Sequence, residues 1–165
     1  MLNNITFNEG DYVVYPTHGV GKVHAIERQH IAGHELELFV ITFDRDRMTL
    51  RVPVPKAKKS GLRKLSTRNA MDVALDALSG RAKIKRAMWS RRAQEYEAKI
   101  NSGDPLAIAE VVRDLHRNAN QPDQSYSERQ IYEAAKERLA SELAAVHEIE
   151  PDQATEKLEK LLAAA

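Results

Sequence analysis

The chain holds one tryptophan, Trp89, inside a run from Arg81 to Arg92 in which Arg81, Lys83, Lys85, Arg86, Arg91 and Arg92 are basic and nothing is acidic. An aromatic ring framed by cations suits a surface that neutralises phosphates and presses the ring against a base. A plainer reading fits the same residues. Trp89, Ala93, Tyr96 and Ile100 recur at helical spacing, as the buried stripe of an amphipathic helix does. Against burial, Lys85, Arg86 and Arg92 lie three or four positions away on the same face, so a sunken ring would draw cations toward the core. On pattern alone both readings stay open.

Other candidate chemistry is weaker. His18, His24, His30 and His34 fall close together in sequence, but Leu38 stands where a zinc-protease motif beginning at His34-Glu35 needs its second histidine. Turns separate the remaining histidines, and no cysteine or carboxylate completes a metal-ligand set. Gly19-Val20-Gly21 is followed by His24 in place of the third glycine of a dinucleotide fingerprint, and the chain has no Gly-Lys-Ser or Gly-Lys-Thr. The serines lie in caps and connectors. These observations point away from an enzyme and call for no cofactor or small-molecule substrate.

The whole chain bounds the rest. Its 165 residues suffice for two small domains, and its zero cysteines exclude disulfides and thiolate chemistry. No stretch approaches the ~20 apolar residues of a membrane span, and Met1-Leu2-Asn3-Asn4 lacks the parts of a signal peptide, which leads to the expectation of a soluble cytoplasmic protein. The net charge of +1 conceals a strong division. Residues 1–50 carry four basic and seven acidic groups, 51–99 fourteen and four, and 100–165 seven and thirteen. A basic belt separates two acidic ends.

The elements that must position these residues are legible in outline. Tyr12 to Tyr15, Val20 to Ile26, Leu36 to Phe43 and Thr49 to Val54 are rich in β-branched and aromatic residues and read as strands, which in so short a span must curl into a small barrel. Lys56 to Gly61 reads as a polar, basic connector. Beyond it the period becomes helical. Asn69 is placed to cap a first helix, a second runs from about Ile84 to Asn101, Asp104 with Pro105 opens a third, Ser127 with Gln130 a fourth, and Pro151 a fifth. The expected fold is α+β in two domains: a barrel over residues 1–60 and an all-α bundle of about five helices over 61–165.

Several short motifs in series resemble one family. Gly10-Asp11, Val14-Tyr15-Pro16 and His18-Gly19-Val20-Gly21 open the chain as members of the CarD/CdnL family of bacterial transcription regulators open. Trp89-Ser90-Arg91-Arg92 with Tyr96, Ser102-Gly103-Asp104, Glu110 to Leu115, Ser127-Glu128-Arg129 and Glu142-Leu143-Ala144 follow that family's helical domain in order and spacing. The resemblance implies a Tudor-like barrel that binds the RNA polymerase β subunit, similar to a barrel of the transcription-repair coupling factor, whose helicase motifs this chain lacks. It also implies a helical domain that contacts promoter DNA at the upstream edge of the bubble and stabilises the open complex. Carried over, the minor-groove wedge falls on Trp89, and phosphate contacts on Arg91, Arg92, Lys85 and Arg86. The polymerase-facing positions become Arg51 and Pro53 on the last strand, Val40 beside them, and Arg28. The belt offers phosphate contacts and one ring but no helix arranged to read base edges, so a DNA contact largely independent of sequence is expected, with the protein acting as a monomer. The basic belt alone equally permits an architectural or single-strand DNA-binding protein that acts without polymerase.

Overall fold

The structure, a computed structural model, describes residues 7–43, 47–84, 86–117 and 121–164. Lys85, one of the candidate cations, lies outside the described residues. The chain divides into two compact units, after Leu65 rather than after residue 60.

The first unit is a five-stranded antiparallel sheet in the order β4-β3-β2-β1-β5, with β1 at Tyr12–Tyr15, β2 at Gly19–Ile31, β3 at His34–Phe43, β4 at Met48–Pro53 and β5 at Arg63–Lys64. Alternation along β3 sends Phe39, Ile41 and Phe43 to one face, where they meet Phe7, Val13, Val23, Val52, Ala57 and Leu62. Burying such side chains stabilises the fold by roughly 1.5–3 kcal/mol each. Gly21 lies under this layer: a Cβ there would sit 2.7 Å from Ile41 Cγ2, so only glycine fits. The ladder shifts register between Val23 and Ala25, leaving His24 as the extra residue of a β-bulge. Before the bulge Val23 opposes Ile41, and after it Ala25 opposes Val40 and Ile26 opposes Phe39.

Strand β2 continues past Ile26, where the run Glu27 to His30 breaks the apolar alternation. The backbone ladder and cross-strand pairs such as Arg28 with Glu37 (3.4 Å) hold this polar ribbon instead. Ala32 and Gly33, with φ of 53° and 79°, close it as a two-residue turn with both residues left-handed. The segment expected as a connector is part of the unit. A 3-10 turn at Val54–Lys56 leads into residues whose Ala57 and Leu62 are each 1 % exposed and belong to the sheet's core. It joins the edge strands β4 and β5 and lends its apolar side chains to the core.

The second unit packs α1 (Arg68–Leu78), α2 (Trp89–Asn101), α3 (Pro105–Leu115), α4 (Tyr126–His147) and α5 (Pro151–Ala163) around Met71, Leu78, Ile100, Val112, Leu139, Leu143 and Leu158. The fold is therefore α+β in two domains. Asp104 caps α3 through Leu106 N–H at 3.2 Å, and Pro105 follows as expected. Two other caps fall earlier than expected. Thr67 rather than Asn69 accepts from Ala70 N–H (3.1 Å), and Ser125 rather than Ser127 accepts from Glu128 N–H (3.2 Å). In each case the upstream hydroxyl residue is extended, with ψ near 160°, and so reaches the first free N–H. Helix α2 starts at Trp89, not Ile84. Its first turn has no acid, Met88 offers no capping oxygen, and cations are disfavoured at the positive end of a helix. Among the described residues no helix is long and apolar enough to cross a membrane.

Candidate nucleic-acid interface and partner-facing sheet surface

Residues 81–84 carry no regular structure, yet they are tied down. The backbone N–H of Lys83 donates to Asp114 Oδ1 at 2.9 Å, and Arg113 Nε donates to the same oxygen at 2.9 Å. Asp114 is a buried carboxylate on α3, held there by the Asp104 cap and Pro105 that start the helix. One acid thus anchors the basic segment just ahead of Trp89. Nothing in its local sequence distinguished Asp114 from an ordinary helix-surface acid.

Trp89 is half-buried, packed on the helical core at the first position of α2. The Arg92 guanidinium sits 5.4 Å from the Trp89 ring and 5.7 Å from the Tyr96 ring, and its NH2 donates to Tyr96 Oη at 3.1 Å. The two rings stand 6.2 Å apart at 48°. Burial of the ring does draw a cation inward, as the charge argument required, and two aromatic faces and a phenol oxygen compensate it. Trp89 is thus neither fully sunk nor free: part of the indole packs on the core, and the rest is accessible. Tyr96, 8 % exposed, is the residue that fixes this geometry, and the helical stripe had marked it only as core.

The cations divide into two roles. Arg92 is turned onto the rings. Arg81, Lys83, Arg86 and Arg91 are exposed, and so are the apolar Ile84 and Met88, the latter 80 %. Such a surface offers charges for phosphates and apolar side chains for base steps.

In the sheet unit, pairing settles which candidates share a face. Arg51 lies opposite Val40 and Pro53 opposite Leu38 across β3 and β4, and Ala25 and Glu27 continue that face on β2. Arg51 Nε pairs with Glu27 Oε2 at 3.2 Å. Val40 is 3 % exposed, so it supports this surface from beneath. Arg28 belongs to the other face, where it pairs with Glu37 and Glu35. The structure thus groups Arg51, Pro53 and Val40 and sets Arg28 apart. It adds Leu38 on β3, opposite Pro53, and Glu27, which a strand expected to stop at Ile26 could not bring to Arg51. Among the described residues no group of three or more histidines and carboxylates gathers to hold a metal ion.

A Tudor-like sheet domain followed by a helical domain that presents a tryptophan in a basic frame is the build of a two-domain transcription regulator. The family model "CarD-like/TRCF RID domain" matches residues 7–66, and "CarD, C-terminal domain" matches residues 73–159. The chain belongs to the CarD family, and its first domain is of that family's polymerase-interacting class. It is 30 % identical over 147 residues, 89 % of this chain and 96 % of the other, to the Bacillus subtilis (strain 168) protein named "Putative transcription factor YdeB".

Proposed function

We propose that this regulator binds the RNA polymerase β subunit through the face formed by Arg51, Pro53 and the underlying Val40, and stabilises the promoter open complex through Trp89. In this reading Arg91, Arg86 and Lys85 meet backbone phosphates, and Arg92 holds the indole ready. The protein acts as a monomer without catalysis, kept at the nucleoid through polymerase. The observation that carries the reading is the Trp89, Arg92 and Tyr96 stack, which holds a half-buried indole close to the exposed Arg86 and Arg91. A ring that meets an unstacked base only once the duplex has opened shifts the equilibrium toward the open state, by roughly 1–3 kcal/mol for one stacked base.

The test is the lifetime of open complexes formed by polymerase with the full chain and with Trp89→Ala. The variant is expected to retain polymerase on co-purification and to shorten the lifetime by about five- to a hundredfold. An unchanged lifetime removes the wedge. Duplex or single-strand binding of equal strength with and without polymerase favours an architectural DNA-binding protein instead.

A further inference from the structure

From Arg47 to Met71 the chain has no acidic residue and eight basic ones, an acid-free stretch longer than the one around Trp89. Its densest part is Lys56, Lys58, Lys59, Arg63 and Lys64. Lys56, Lys58, Lys59 and Lys64 are exposed, and among the described residues their ammonium groups make no ion pair or hydrogen bond. Two arginines of the same domain differ: Arg28 is neutralised by Glu35 and Glu37, and Arg51 by Glu27.

The backbone beneath these lysines is fixed. Ala57 and Leu62 are sunk in the sheet's core, Ser60 Oγ donates to Ala57 O at 2.7 Å, and Ser60 and Gly61 N–H groups donate to Lys56 and Lys58 carbonyls. Gly61 has φ of +86°, and a Cβ on it would meet Pro16 Cγ at 2.8 Å. Like charges are thus held together on a fixed turn with no acidic partner among the described residues, which is costly unless a polyanion meets them.

We propose that this turn is a second nucleic-acid site, on the sheet domain, in which Lys56, Lys58 and Lys59, with Lys64 beside them, contact the phosphate backbone of duplex DNA. The surface favours a phosphate backbone over an acidic protein. Among the described residues of this domain the exposed large apolar ones are Tyr12, Ile26 and Ile31, none of them in the turn. Protein interfaces need apolar or aromatic anchors and are depleted in lysine, whereas phosphate neutralisation asks only for clustered cations. The interaction carries no sequence information.

The experiment measures duplex affinity of the full chain, without polymerase, against salt concentration, for Lys56→Gln, Lys58→Gln and Lys59→Gln singly and together. The slope of log affinity against log salt should fall by about 0.9 for each lysine–phosphate pair removed, up to about 2.7 for the triple variant, equally on two unrelated sequences. Unchanged melting of the variants is expected at such exposed positions, and the single variants keep the test readable should the triple melt lower. An unchanged slope overturns the proposal. So does an unchanged slope joined to a failure to retain polymerase, which would make the turn a protein-binding surface. Because neither polymerase nor an opened promoter is present, the result stands whatever becomes of the Trp89 wedge.

Discussion

Asp114 Oδ1 accepts from both the backbone N–H of Lys83 and the side chain of Arg113, each at 2.9 Å, and so joins the basic segment to α3. Asp114→Ala leaves two donors without their acceptor, one of them on an arginine side chain that is 10 % exposed. The expected cost is about 1–3 kcal/mol, seen as a lower melting temperature, with earlier proteolysis between Ser79 and Met88. Asp114→Asn keeps an acceptor for Lys83 and should restore most of the protease resistance. Equal proteolysis of both variants would show that the charge, not the tie to Lys83, does the holding.

Arg91 and Arg92 are neighbours in sequence with different surroundings, so their removal should read out differently. Arg91→Ala is expected to lower the salt slope of DNA binding by about 0.9 and leave melting unchanged. Arg92→Ala should instead lower the melting temperature and change Trp89 fluorescence, because it removes the cation between two rings. Identical behaviour of the two variants would contradict the stack.

Arg51→Glu places a carboxylate beside Glu27, so it both reverses the charge on the proposed polymerase-facing surface and repels within the sheet. Loss of polymerase co-purification is expected. The exchange Glu27→Arg with Arg51→Glu restores the internal pair, and it should recover melting but not binding. Recovery of binding by the exchange would mean that Arg51 serves only the sheet.

His116 Nδ1 and Tyr132 Oη lie 3.0 Å apart in the helical domain, and both are shifted toward their neutral forms. Burial, helped by Lys136, lowers the His116 pKa from 6.5, so the unfolded chain takes up the proton first and stability falls as pH drops below about 6.5. Burial, with Glu133 and Glu159, raises Tyr132 to about 12, so the unfolded chain loses its proton first and stability falls as pH rises above about 10. Tyr132→Phe should remove the alkaline decline in a denaturation series across pH. A decline unchanged by that variant would place its origin elsewhere.

Much of this could be read from the chain because local chemistry decided it. Asp104-Pro105 opened a helix, the β-branched and aromatic residues from Leu36 to Phe43 marked a strand, and the Trp89 run marked a basic surface. What escaped was set by partners distant in sequence. Asp114 gains its importance from Lys83; the start of α2 is the exception, set close by through a missing cap and unfavourable charge. The reach of β2 to Ile31 depends on β3 lending it a ladder where apolar alternation has lapsed. Arg28 looked equivalent to Arg51 until that same ladder put them on opposite faces.

The bulge at His24 also sets the tolerance of this domain to changes in chain length. A strand shortened by one residue normally turns every later side chain over. Excising Gln29 would do that near the ribbon tip. Excising His24 would not: Val23 would still oppose Ile41, Ala25 would still oppose Val40, and Glu27 would keep its place beside Arg51. The loss would fall on the curl of the sheet alone. A homologue one residue shorter at this point could therefore keep every facing pair around Arg51 on a flatter sheet.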